Sequence, residues 1–171
     1  MARVLENPIS GERIVIRRGA AETAGELLEF DVYLRPGAHV PAGHSHPCQI
    51  EQFHVISGCI KFRVRGRSFW LGPGSQLSVR AGTGHWFGNA GTEVAQLRVE
   101  VRPALRMEEV FETGVRCADP SSASWWLRLL DWVLIPLDFR PELGVPGVPA
   151  WLLATGLAPL ARLRQSLRGA T

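Results

Sequence analysis

The residues best suited to chemistry are histidines and one glutamate gathered in a single stretch of the chain. All five histidines fall in the first half of the sequence, and His44 and His46 are separated by one residue. Side chains at positions i and i+2 of a strand point the same way, so these two imidazoles can face one point. Glu51 would face away on an unbroken strand, but a bend at Pro47 and Cys48 would turn it inward.

A fourth ligand has to come from another segment, and His85 is suited to this role. It follows the turn Gly82-Thr83-Gly84, which lets the next strand begin with its side chain directed inward. Three neutral imidazoles and a carboxylate suit Fe, Mn, Ni, Zn, Co or Cu, and they do not suit a calcium cage. The sequence therefore predicts one divalent metal ion held by His44, His46, Glu51 and His85.

The two segments that carry these ligands resemble the two conserved motifs of the cupin superfamily. The first runs from Gly37 through His44-x-His46-x4-Glu51 to Gly58, and the second contains Gly74, Gly82-x2-His85 and Asn89. The chain is similar to a small single-domain bacterial cupin with a type-2 conserved barrel. This resemblance implies a double-stranded β-helix, or jelly-roll barrel, with the metal toward one mouth, and it implies a homodimer.

Residues 12–103 read as the β-barrel domain, because short alternating runs are separated there by Gly and Pro. Strands at this spacing favour a barrel or sandwich over βαβ units. The predicted strands are Arg13–Arg17, Leu27–Leu34, Gln49–Ile56, Ile60–Arg65, Ser68–Leu71, Gln76–Val79, His85–Asn89 and Val94–Val101. The predicted fold class is all-β with a C-terminal helical extension.

Residues 104–171 are predicted to form that extension, which contains two helices and is not an independent domain. Asp119 and Pro120 suit the start of a helix, which continues over Ser124–Leu134 until Pro136 ends it. A second helix is predicted over Ala150–Leu167.

The alternation of each strand identifies residues that would line the pocket. Gln49 and Phe53 share the parity of Glu51, and Phe87 shares the parity of His85. Tyr33, the only tyrosine, can face either way. Glu51 is also the candidate catalytic residue, as a proton acceptor if it swings free of the metal.

Composition restricts the partners and the compartment. The formal charge is +3, but arginines spread along the chain carry it, with Lys61 the only lysine, so no nucleic-acid partner is expected. Three cysteines without CxxC spacing favour a reducing, cytoplasmic setting, and no secretory signal is expected. Residues 143–161 are uncharged, but several Pro and Gly residues argue against a membrane span. Peripheral membrane contact through the tail is the minor alternative.

Two classes of function remain open at this stage. The leading hypothesis is a metal-dependent enzyme acting on a small organic molecule, because the cupin resemblance implies dioxygenases, isomerases and lyases. The competing hypothesis is a non-catalytic cupin that binds or senses a small ligand, with the tail as its interaction arm. The ligand set does not decide the reaction type.

Overall fold

The computed structural model describes residues 3–40, 42–121 and 124–168. Over these residues the chain forms a β-sandwich of two antiparallel sheets followed by three helices. The strands are β1 (Arg3–Asn7), β2 (Glu12–Arg18), β3 (Leu28–Leu34), β4 (Ile50–Ser57), β5 (Ile60–Val64), β6 (Arg67–Leu71), β7 (Gln76–Val79), β8 (His85–Asn89) and β9 (Ala95–Arg102). The helices are α1 (Met107–Ala118), α2 (Trp125–Asp138) and α3 (Ala150–Arg168).

The two sheets differ in size. Six strands form the larger sheet in the order β1-β2-β3-β9-β4-β7, and three form the smaller sheet in the order β6-β5-β8. Alternation along β3 places Phe30, Val32 and Leu34 in the core between the sheets. Asp31 points to the outer face, where its Oδ1 accepts a 3.0 Å hydrogen bond from Nε of Arg98.

The first two helices extend the core of the sandwich. Phe111 of α1 packs edge-on against Phe30, with the ring centroids 5.0 Å apart. Buried residues of α1 and α2 belong to the same hydrophobic cluster as the strands, including Met107, Val110 and Ile135. The three-stranded sheet is too narrow to cover six strands, so α1 and α2 bury part of the apolar surface left by the larger sheet.

The predicted strands agree with the structure to within one or two residues, but β1 was not predicted. The extension contains three helices, so the prediction of two was wrong and the chain is not purely all-β. Asp119 lies at the C-terminus of α1, and Ser124 is the N-cap of α2. The prediction that Pro136 ends the second of these helices was also wrong, because the Phe139 amide still donates to the Ile135 carbonyl.

None of the helices in the described part of the chain has the length and apolar character needed to cross a membrane. The division at residues 103 and 104 stays a prediction.

Candidate metal centre

The segment before β4 presents its two histidines as predicted. His44 is extended and forms an isolated bridge with His85 at the start of β8, so the two ligand segments lie side by side. A turn at Pro47 and Cys48 then changes the direction of the chain. Beyond this turn, Glu51 and Phe53 of β4 are buried, with 4% and 1% of their surfaces exposed. The predicted bend is therefore confirmed.

The four predicted ligands converge on one point. One potential ligand atom from each of His44, His46, Glu51 and His85 lies within 4.8 Å of the other three. Oε2 of Glu51 is 2.8 Å from Nε2 of His85 and 3.2 Å from Nε2 of His46. His46, Glu51 and His85 are buried, whereas His44 is partly exposed.

The orientation of each imidazole is fixed by the main chain. In all three rings Nδ1 lies within hydrogen-bond distance of a carbonyl oxygen, at 3.0 Å for His44, 2.6 Å for His46 and 3.1 Å for His85. The carbonyls belong in turn to Ala42, Glu142 and Thr83. A carbonyl only accepts, so Nδ1 carries the proton and Nε2 is free to bind a cation.

The electrostatics of the cluster keep the carboxylate charged. Burial alone would raise the pKa of Glu51, but the neighbouring His46 and His85 hold it well below its usual range. Burial would likewise lower the pKa of His46, but the charge of Glu51 and the polar contacts with Glu51, the Glu142 carbonyl and Gln49 together outweigh it and raise that pKa. For His44, burial and then the two other histidines lower the pKa to about 3, so its imidazole is neutral at physiological pH.

The residues present fit one divalent cation. Nε2 of His46, Nε2 of His85 and Oε2 of Glu51 are buried and make no hydrogen bond of good geometry, although they face one another. Buried polar atoms are normally satisfied, and a positive ion among them would satisfy all three at once. Three imidazole nitrogens and one carboxylate oxygen match the preference of Fe, Mn, Ni, Zn, Co and Cu.

Comparison with known proteins agrees with this geometry. The family described as "Cupin domain" matches residues 30–101, a segment that contains all four ligands. Residues 30–101 form a cupin domain. The resemblance deduced from the two motifs is thereby confirmed. No functionally curated protein shows significant sequence similarity to this cupin.

Solved structures share the fold of this cupin at low sequence identity. The Schizosaccharomyces pombe Cnp3 cupin domain aligns with a TM-score of 0.52 and 15% identity, covering 63% of this chain and 72% of that one. A predicted oxalate decarboxylase from Thermotoga maritima aligns with a TM-score of 0.52 and 17% identity, covering 60% and 92%. KdgF from Halomonas sp. aligns with a TM-score of 0.52 and 16% identity, covering 59% and 86%. At such identities the likeness concerns the fold alone.

A cavity of about 220 Å³ adjoins the metal ligands of this cupin. His44 and Glu51 form part of its wall, and most of the remainder is apolar. The apolar wall combines sandwich residues with residues of the helical extension, among them Phe30, Val32, Phe53, Phe87, Val110, Phe111, Trp132 and Ile135. The extension of this cupin therefore contributes to the wall of the cavity.

The predicted pocket residues divide into two groups. Phe53 and Phe87 line the cavity. Gln49 is buried, but it does not line the cavity; its amide nitrogen donates to the carbonyls of Pro103 and Ala104 at 2.9 and 3.0 Å. Tyr33 lies beside a separate surface depression, with the Arg13 guanidinium 5.3 Å from its ring centroid.

Two residues that bear on the site were not predicted. Glu12 lines the cavity from the start of β2, outside both cupin motifs. Glu142, in the loop after α2, supplies the carbonyl that orients His46. A parity argument along β2 would have placed Glu12 on the same face as Ile14, but no local pattern identifies a main-chain acceptor 96 positions away.

Proposed function

We propose that this cupin is a metal-dependent enzyme acting on a small, largely apolar organic molecule held in the cavity. The observation that supports this proposal is that the His44, His46, Glu51 and His85 cluster adjoins the cavity, with His44 and Glu51 in its wall. A cation bound there would be reachable from the cavity, and most of the surrounding wall offers no competing polar group.

His44, His46, Glu51 and His85 would hold the ion, and three main-chain carbonyls fix their imidazole tautomers. A divalent metal supplies Lewis-acid polarisation, activation of a bound water or activation of oxygen. The surrounding aromatic residues have a separate task. Phe53 packs against the His85 ring at 6.0 Å and against Phe87 at 5.2 Å, and these rings exclude water from one side of the cluster.

The proposed reaction classes are those of an oxygenase, an isomerase or a lyase. Glu51 is the proposed catalytic residue, since its carboxylate can accept a proton from a bound molecule if it leaves the cation. Its low pKa makes it a weak base while the histidines surround it.

The first test is metal content. Replacing His85 with alanine removes one of four ligands from the cluster, so we expect stoichiometric metal in the purified wild-type protein and at least a tenfold lower occupancy in the variant. Mass spectrometry of the metal-reconstituted proteins measures both. His54→Ala is the matched control, because His54 lies on β4 and outside the cluster, and its occupancy should equal that of the wild type. Equal occupancy in wild type and His85→Ala would refute the metal site.

The second test separates an enzyme from a binding module. The metal-loaded protein is incubated with a panel of small phenolic, dicarbonyl and aliphatic compounds while oxygen consumption and product formation are followed. Metal-dependent turnover supports the enzyme. Tight binding of a panel compound without turnover would favour the non-catalytic ligand-binding cupin.

Homodimer formation is a further proposal, and it rests on the family resemblance. Light scattering on the purified protein should give twice the chain mass of 18.8 kDa. The monomer mass would contradict it.

A further inference from the structure

Glu12 is a second carboxylate in the wall of the cavity. It begins β2 and has the same parity as Ile14 and Ile16, which are buried in the core. No hydrogen bond or ion pair joins its carboxylate to another residue in the described ranges. Glu12 keeps part of its surface exposed, but the partial burial of its carboxylate beside an apolar space raises its pKa to about 7.

Strand register places Glu12 far from the metal ligands. Glu12 pairs with Leu34 at one end of β3, whereas Glu51 pairs with Val101, which in turn pairs with Leu28 at the other end. Glu12 and Glu51 therefore lie level with opposite ends of β3, and the length of β3 corresponds to about 20 Å along the strand direction.

The residues of α1 that line the cavity also indicate how far it extends. Its lining on α1 extends from Met107 to Val115, which corresponds to about 12 Å along a helix axis. The cavity is therefore a channel whose lining runs from the His44 cluster at one end to Glu12 at the other.

The charge of the wall restricts what can occupy the far end. No Lys or Arg is among the described residues that line the channel. Arg13 and Arg35 line the neighbouring depression and not the channel. Inside the channel, an anionic end group would meet the carboxylate of Glu12 without a compensating cation, which is unfavourable in an apolar setting. A hydroxyl or an ammonium group would instead donate a hydrogen bond to Glu12 and supply the missing partner.

We propose that Glu12 is a specificity-determining residue, and that the ligand is an elongated apolar molecule with metal-binding oxygens at one end and a hydroxyl or amine at the other. This inference rests on the proposed metal site, because the head of the ligand binds the cation. It goes further by naming the chemistry of the opposite end.

The test uses n-alkyl hydroxamates, whose two oxygens chelate the metal, on the metal-loaded full chain. One series, from butanoyl to dodecanoyl, ends in a methyl group, and a second series of the same lengths ends in an amine. Calorimetric titration gives the affinity of each compound. At the optimum length we expect the wild type to bind the amine-terminated compound about tenfold more tightly than its methyl-terminated counterpart.

Variants assign that preference to one side chain. Glu12→Leu should reverse it, because the ammonium would then enter an apolar end without a partner, and Glu12→Gln should reduce it by removing the charge. Glu6→Gln is the matched control: Glu6 lies on β1, pairs with Arg13 at 3.3 Å and does not line the channel, so the wild-type preference should be retained.

The outcomes separate this inference from the proposed function. If the hydroxamates bind only to metal-loaded protein but Glu12→Leu keeps the wild-type preference, the role of Glu12 is refuted and the metal site stands. If no compound of either series binds to protein that contains stoichiometric metal, the channel does not accept such ligands and the inference is likewise overturned. Failure of the protein to bind metal at all would refute the proposed function itself.

Discussion

At the scale of single residues, the candidate ligands are oriented but not satisfied. Their imidazole rings are held by the main chain, yet three of the buried ligand atoms make no well-formed hydrogen bond. Each Nδ1 is committed to a main-chain carbonyl, while Nε2 of His46 and of His85 faces Oε2 of Glu51. Such pre-orientation lowers the cost of forming a site, because the ligands need not reorganise when the ion arrives.

Glu12 should leave a signature in the pH dependence of stability. Its pKa is raised from 4.5 to about 7, so between these pH values the folded chain retains a proton that the unfolded chain has lost. The free energy of unfolding therefore falls from about pH 4.5 to about pH 7 and then stays reduced. Glu12→Gln has no carboxyl group that titrates, so its stability lacks this decrease. We expect the free energy of unfolding of Glu12→Gln, relative to that of the wild type, to be higher at pH 8 than at pH 4 by up to about 3 kcal/mol.

Urea unfolding of both proteins at several pH values measures that difference. Glu6→Gln serves as the comparison, and its difference from the wild type should change little over the same range. A pH-independent difference for Glu12→Gln would contradict the assignment. The charged groups around the depression beside Glu12 are Glu6, Arg13, Arg35 and Asp119, and Glu12→Gln leaves all four in place.

The residues of the ligand set could be predicted because their signal is local. Parity places His44 and His46 on one side, the bend at Pro47 and Cys48 brings Glu51 to that side, and the turn before His85 does the same for the fourth ligand. Parity along β2 would have placed Glu12 on the inner face with Ile14, but only the sheet register brings it to the cavity. Glu142 carries no local signal, because its relation to His46 arises from the return of the tail.

At the scale of elements, the loop after α2 is joined to the ligand segment by main-chain pairing. The Ser45 amide donates to the Gly144 carbonyl at 3.0 Å, and the Gly144 amide donates to the Ser45 carbonyl at 2.8 Å. This pairing brings the Glu142 carbonyl to His46. The loop that follows α2 thus helps to orient a histidine of the candidate metal centre.

Replacing Gly144 with valine should therefore weaken metal binding. A Cβ atom at this position would lie 3.0 Å from Oγ of Ser45 and 3.3 Å from Cγ of Pro47, so the loop must shift and carry the His46 acceptor with it. We expect the affinity for metal to fall about 10- to 100-fold, as is typical when an orienting acceptor is lost. Competition with a chromophoric chelator measures the dissociation constant.

Gly156→Ala is the control for that experiment. Gly156 lies in α3 with no atom within 4 Å of a Cβ built on it, so alanine there should leave the metal affinity unchanged. If Gly144→Val bound metal as tightly as this control, the proposed link between the tail and His46 would be wrong.

Elements were predictable where their pattern is strong. The alternation of β3 and β9 identified them to within a residue or two, whereas β1 is a short edge strand whose ladder depends on β2. Helix α1 was not separated from the helix after it, because Gly114 weakens its pattern. Pro136 lacks an amide hydrogen and so removes one hydrogen bond from α2. Because α2 ends only two residues later, this loss falls in its last turn and does not break the helix.

At the scale of the whole molecule, the ligands come from the loop before β4, from β4 and from the start of β8, and their support comes from the tail. Metal binding to such a dispersed set is possible only in the folded state. Ligand binding to the native state alone stabilises it by RT ln(1 + [L]/Kd), about 2.7 kcal/mol at a hundredfold excess over Kd.

We therefore expect metal to raise the melting temperature of the wild type by about 5 °C or more at that excess. A chelator should reverse the increase, and His85→Ala should show little of it, while His54→Ala should behave as the wild type does. Differential scanning calorimetry with and without metal provides the measurement. An equal increase in His85→Ala would mean that the ion binds elsewhere.

The wall of the cavity is shared between two parts of the chain. All four candidate ligands precede the helices in sequence, whereas α1 and α2 contribute Phe111, Trp132 and other groups that shape the space open to a guest molecule. Exchange of these two helices for those of another protein with the same sandwich would therefore reshape that space and leave the candidate ligands in place, provided that the carbonyl behind His46 is retained.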